Sequence, residues 1–140
     1  MLEGCPILSV SKLQTEIALS TLEAEYIALS QAMRELLPAR ELLQEIGNKL
    51  ELDFAKPTIM HSTVFEDNNG ALQLATSPKI TPRTKHIAVK YHFFKDKIGI
   101  KNGEGIGIEK VDSAQQVADI FTKGLPEKTF KELRKLLVGW

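Results

Sequence analysis

STLEAEYIALSQAMRELLPARELLQEIG, residues 20–47, decides how the rest of the chain is read. Ser20, with Glu23 three residues on, has the form of a capping box, which starts a helix by satisfying first-turn N–H groups that lack partners. Leu22, Tyr26, Leu29, Met33, Leu36 and Leu37 then recur at helical spacing and make one apolar stripe. Glu25 breaks the pattern. At 3.6 residues per turn it stands only about 60° from Leu22, at the edge of the stripe. A carboxylate there needs a cation, a metal ion or a proton, because an unpaired buried charge is costly. Glu23 and Glu35 point elsewhere on the same wheel and need no such partner. Pro38 removes a backbone donor and clashes with the preceding turn, which predicts a kink or break at residues 35–37. Leu42, Leu43 and Ile46 resume the pattern, and Gly47 with Asn48 makes a C-terminal stop.

On either side of this helix the pattern changes period. Residues 5–13, CPILSVSKL, read as a short strand, with Ile7 and Ser9 on one face and Leu8 and Val10 on the other. Residues 58–65, TIMHSTVF, are β-branched and apolar and read as a second strand. This one runs into Glu66 and Asp67, then Asn68, Asn69 and Gly70, then a short helix, ALQLA. An acidic residue at the carboxyl end of a strand, followed at once by a helix, is where α/β folds place ligands. Asp67 serves equally well as a plain helix cap, and the residues alone leave both readings open.

Further on, two Xaa-Pro pairs make residues 76–84 a loop. A helix is expected from about 85 to 98, with Ile87, Tyr91, Phe94 and Ile98 inward. His86 and His92 are six residues apart and share no helix face, so they are not a metal pair. His61 is read as a strand residue without a special role. Gly99, Gly103, Gly105 and Gly107 mark a turn region leading to a strand at 105–111, with Ile106 and Ile108 on one face. Asp112 or Ser113 then caps a helix that buries Val117, Ile120 and Phe121. Asp119 falls about 160° from Phe121, and on that ground alone is a surface aspartate. An amphipathic helix at 130–137 closes the chain. Strands alternating with helices give an α/β fold in 140 residues, enough for one domain.

Composition excludes little but charge distribution is informative. No apolar run approaches a membrane span, and no signal-peptide pattern opens the chain. Cys5 is the single cysteine, so there is no internal disulfide, which fits a reducing compartment. Formal net charge is zero, with 18 basic and 18 acidic residues. Residues 79–101, however, carry Lys79, Arg83, Lys85, Lys90, Lys95, Lys97 and Lys101 against Asp96 alone. Such a run is either a solvated helix face or a phosphate-binding surface beside a carboxylate site. Glu25, Asp67 and Asp119 are the candidate carboxylates. Hard oxygen ligands of this kind suit Mg²⁺ or Mn²⁺, and two such ions can activate water for phosphodiester hydrolysis.

Five pieces carry a resemblance: SVSKLQ (9–14), STLEAEYIAL (20–29), EDNNGALQL (66–74), TPRTKHIAVKYHFF (81–94) and VADIFTKGL (117–125). In this order they resemble the ribonuclease H domain at the carboxyl end of copia-type retrotransposon Pol polyproteins, over nearly the whole chain. The resemblance implies hydrolysis of the RNA strand of an RNA–DNA hybrid, with four acidic residues holding two divalent ions. Glu25, Asp67 and Asp119 match three of the four, as catalytic and metal-binding residues. Lys79, Arg83, Lys85, His86 and Lys90 would contact nucleic acid. It further implies an upstream reverse transcriptase domain as neighbour, no membrane partner, and a cytoplasmic setting, within a virus-like particle for an intact element. The fold implied is ribonuclease-H-like, N-terminally truncated: a single partial domain over 1–140 with an incomplete mixed sheet. The family's sheet order is 3-2-1-4-5, and its first two strands precede the stretch matched by residues 5–13. The family's first metal-binding Asp lies on that first strand, before this chain starts, so this chain is expected to be inactive or nearly so. Glu3 and Glu66 are the nearby substitutes, and no matched motif places either. Ser9 stands where a Trp is usual, and Ala88 where an Asp is frequent. The alternative expectation is a remnant that binds nucleic acid without cutting it.

Overall fold

In a computed structural model that describes residues 6–50, 60–77, 87, 89–101 and 104–139, the long helix starts where its capping residues predict. Helix α1 spans Thr21–Lys49. Ser20 is its N-cap, and its hydroxyl accepts the Glu23 N–H at 3.2 Å. The Glu23 carboxylate reaches back in turn, but to the Leu19 N–H, at 2.8 Å. Glu23 is therefore not an outward group, as the wheel had it; it is 7 % exposed. Side chains of a first turn lean toward the helix N-terminus, and this one folds over the cap. The break expected before Pro38 is absent too. The helix continues for 29 residues, about 44 Å at 1.5 Å per residue. Pro38 is exposed, so water can take the place of the missing N–H donor. Burial of the stripe ends earlier than its pattern: Leu36 and Leu37 pack against the core, whereas Leu42 and Ile46 are exposed.

Two compact units make up the chain, Ala18–Lys110 and Met1–Ile17 with Val111–Trp140. The first contains α1, β1 (His61–Glu66), α2 (Asn69–Thr76), β2 (Gly99–Lys101) and β3 (Glu104–Lys110). Its sheet is three-stranded and mixed, in the order β1-β3-β2. β1 runs parallel to β3, with Glu66 opposite Lys110, and β2 runs antiparallel to β3. The parallel pair is joined through α2 and a long connection, as parallel pairing requires. The strand expected at 105–111 forms as β3, and the expected turn region before it contributes a further strand, β2, with residues 102 and 103 outside the described residues. Gly99 and Gly105, at φ 122° and 136°, take backbone conformations closed to most other residues.

Tyr26, Leu29 and Met33 of α1 meet Ala71, Leu74 and Ala75 of α2, with Ile87, Phe94 and Ile106 completing the core. The helix expected at 85–98 is corrected here. Its described residues form two 3₁₀ turns, Val89–Tyr91 and Lys95–Lys97. Tyr91, Phe93 and Phe94 crowd a stretch of modest helix propensity, and tertiary packing decides its course. The inward set stands: Ile87 and Phe94 are buried, and Tyr91 and Ile98 pack partly against the core.

α2 meets α1 at Gly70, against Leu22. A Cβ built there would lie 2.5 Å from Leu22 Cδ1 and 3.1 Å from its Cγ. Gly70→Ala is thus expected to lower stability by about 1–3 kcal/mol in urea melts. Adding Leu22→Ala should recover part of that loss, and simple additivity would show that the two positions do not touch.

In the second unit, the strand expected at 5–13 is not formed over its described residues. No described strand belongs to this unit, and an extended segment without a ladder partner is not a strand. Ile7, Leu8 and Val10 are half exposed or more, and Ser11 Oγ donates to the Phe121 carbonyl at 3.2 Å. The single helix expected after Asp112 is two 3₁₀ turns, Ser113–Gln115 and Val117–Phe121. At three residues per turn the helical wheel no longer applies. Asp119 is accordingly 8 % exposed rather than on the surface, and Phe121 is 42 % exposed rather than buried. Helix α3, Glu127–Val138, packs Leu133 inward and ends on Gly139 at φ 81°.

Candidate functional site

Strand alternation sets the first carboxylate. Along β1, Ser62, Val64 and Glu66 share one parity, and Val64 packs on the core. Glu66 at the strand's last position keeps that inward parity and is 5 % exposed. The chain then turns. The Asn68 N–H donates to Glu66 Oε1 at 2.9 Å, while Asn68 Oδ1 accepts from the Gly70 and Ala71 N–H groups at 2.9 and 3.1 Å. Asn68, not Asp67, is therefore the cap of α2. That removes the capping explanation for Asp67, which is left half-buried between Glu66 and the cap.

From α1 comes Glu25, half-buried at the stripe's edge. Glu25, Glu66 and Asp67 each offer an oxygen, and these atoms lie within 4.8 Å of one another. Burial raises Glu66 to a pKa of about 7; the Asn68 N–H opposes the rise, and the charges of Glu25 and Asp67 add to it. Lys110, paired across from Glu66 in the sheet, acts the other way. Its ammonium donates to the Asp67 backbone carbonyl. Three carboxylates and no imidazole or thiol make a donor set for a hard divalent cation, and the residues present fit one.

Of the three carboxylates expected to bind metal, the structure thus brings two together, Glu25 and Asp67. Asp119 belongs to the other unit. There Lys123 holds it, with Nζ at 2.9 Å from Oδ1 and 3.0 Å from Oδ2. Glu66 joins the group although the resemblance assigns it no metal role. The signal for it was an acidic residue at an inward strand position. Among the basic residues, Lys79, Arg83, Lys85 and His86 lie outside the described residues. Lys90 is exposed, its ammonium 5.0 Å from the Tyr91 ring centroid. Among the described residues no helix is long and apolar enough to cross a membrane.

Comparison with known proteins returns polyproteins of plant transposons. The chain is 35 % identical over 132 residues to the retrovirus-related Pol polyprotein from transposon TNT 1-94 of Nicotiana tabacum. It is 31 % identical over 126 and 130 residues to those from transposons RE1 and RE2 of Arabidopsis thaliana. These matches take in 92, 90 and 93 % of this chain but only 9, 8 and 8 % of the respective relatives. The chain is thus similar to one small part of each polyprotein. No family model matches it, and no solved structure matches it.

Proposed function

We propose that this chain is part of a ribonuclease-H-like domain of a retrotransposon Pol polyprotein, which in intact form hydrolyses the RNA strand of an RNA–DNA hybrid. The observation that carries this is the meeting of Glu25 and Asp67 with Glu66 at the carboxyl end of a parallel strand. Helix Glu and strand-end Asp are two of the three matched positions that the resemblance assigns to metal. The parallel pairing of β1 with β3 also agrees with neighbouring fourth and fifth strands in the family's sheet order. Asp119 enters from the resemblance alone.

Glu25, Glu66 and Asp67 would hold Mg²⁺ or Mn²⁺, which when bound supplies an activated water and steadies the leaving oxygen of a phosphodiester. The protein's part is to gather the carboxylates and to draw the hybrid to them. Residues 79–101 supply positive charge for the phosphates, and 2′-hydroxyls distinguish RNA from DNA. A Glu66 near pKa 7 must lose its proton to serve as a ligand, so ion binding should tighten as pH rises through neutrality.

The 140-residue chain by itself should bind these ions weakly and cut little, because the family's fourth acid is not among its matched pieces. A labelled hybrid incubated with the purified chain across a Mg²⁺ and Mn²⁺ series is the test. Weak ion binding, reduced about tenfold or more by Glu25→Gln or Asp67→Asn, with little cleavage, is expected. Strong Mg²⁺-dependent cutting refutes the inactivity. Salt-dependent hybrid binding untouched by both substitutions favours a binding remnant over a metal site.

A further inference from the structure

The YHFF stretch, residues 91–94, holds a pair that the carboxylate chemistry leaves unused. Tyr26, fully buried, follows Glu25 on α1. Its hydroxyl meets His92 Nδ1 at 2.8 Å, and the two rings lie 5.3 Å apart. This bond ties two elements 66 residues apart in sequence. His92 Nε2 is also buried and has no hydrogen-bond partner.

Neutral imidazole carries one donor and one acceptor. Suppose Nε2 holds the proton: a second proton then falls on Nδ1, where the Tyr26 hydroxyl now donates, and the bond must be rebuilt. Suppose instead Nδ1 holds it: the second proton makes a buried N–H on Nε2, which has no partner at hydrogen-bond geometry and for which the Ile87 backbone compensates only in part. Either tautomer leaves the charged ring worse accommodated than the neutral one. The surroundings act the same way. α1 presents the Tyr26 hydroxyl, and Arg34 stands over Phe93, 5.6 Å from its centroid. The end of α2 presents the Ser77 carbonyl, which accepts from Lys95 Nζ at 3.1 Å. The Lys95 ammonium, 6.0 Å from the Tyr26 centroid, is the charge that acts on His92, and its sign repels a proton.

We propose that Tyr26 and His92 form an acid-released latch: with a neutral imidazole it fastens residues 89–97 to α1, and protonation lets that segment go. Burial first, then Lys95, pushes His92 below the ordinary histidine range, against a smaller contribution from the Ile87 backbone. A folded-state value below the unfolded one means that the latch is whole above about pH 6.5 and weakens as pH falls from there toward the folded value. Over that interval the opening constant rises by up to about tenfold per pH unit. A consequence for nucleic acid, through Lys90, Lys95 and Lys97, rests on the function proposed above.

Amide hydrogen exchange on the full chain, expressed as protection factors for residues 89–97 between pH 7.5 and 5, reads the latch. Protection should fall by up to about tenfold per pH unit below 6.5 in the wild type. His92→Gln, which keeps an acceptor but does not titrate, should retain protection and lose the pH dependence. Tyr26→Phe should lower protection at every pH. Imidazole NMR of the wild type alone tests the idea even where a variant fails to fold. A His92 ring titrating at the ordinary histidine value, or pH-independent protection in the wild type, overturns it. Hybrid affinity measured over the same pH series separates the two claims. If protection falls and affinity does not follow, the latch stands, and the assignment of these lysines to nucleic acid is overturned.

Discussion

Glu66→Gln should stabilise the chain at pH 8 and change it little at pH 4. Glu66 has a folded-state pKa of about 7 against an ordinary 4.5. Its folded value is raised, so the folded state holds the proton more tightly than the unfolded state does. Stability from this group is fully present below about pH 4.5 and is lost as pH rises to about 7. At 1.36 kcal/mol per unit, the loss is on the order of 3 kcal/mol once Glu66 is ionised. Because Glu66 is 5 % exposed, water screens little of this. Glutamine keeps an oxygen to accept the Asn68 N–H and carries no charge toward Glu25 and Asp67. Urea melts of both proteins at pH 4 and pH 8 measure the difference directly. Equal stability at pH 8 would mean that the folded state does not raise the Glu66 pKa, and that burial beside two other carboxylates costs its charged form nothing.

A site that destabilises its own protein needs a reason, and cation binding is one. Mg²⁺ should stabilise the wild type at pH 8 by binding the folded state alone, and should stabilise Glu66→Gln less. Activity near a stability cost of this kind is a common trade. The same physics explains why Glu25 was visible from sequence: a charged residue at the edge of an apolar stripe is out of place unless something holds it.

How much was legible follows from which periodicities survive packing. The start of α1, the strand at His61–Glu66 and the strand at Glu104–Lys110 obey local rules of capping and alternation, and the chain follows them. Glu25 and Asp67 were reachable for the same reason, since one breaks a helical stripe and the other ends a strand. Glu66 is legible in the sequence only as a nearby substitute ligand, although its strand parity with Val64 already points inward. Asp119 and Phe121 were placed with a wheel of 3.6 residues per turn in a segment that winds at three. Residues 89–97 misled in the opposite way. The spacing of Ile87, Tyr91, Phe94 and Ile98 was right for the core and wrong for the backbone, because these four anchors can be buried by two 3₁₀ turns as well as by a helix. The failed strand at 6–13 has a different cause: strand propensity is local, whereas pairing needs a partner.

Phe94→Ala should cost about 3–5 kcal/mol, the usual range for emptying a buried phenylalanine site. Phe94 is fully buried, with the Tyr26 ring at 5.7 Å and the Phe93 ring edge-on at 5.7 Å. Few large side chains share that burial, and a cost of this size approaches the whole stability of a small domain. Phe93→Ala is the control. Its ring is 39 % exposed, so its removal should cost well under half as much. The larger substitution also removes the packing behind Tyr26, and Tyr26 sits next to Glu25 on α1. Thermal melts with and without Mg²⁺ should therefore show Phe94→Ala losing both stability and the response to the ion, while Phe93→Ala keeps both. Equal losses in the two variants would mean that residues 89–97 do not lie on α1. The face of α1 that carries Glu25 would then be held to its unit through α2, with Leu22 against Gly70.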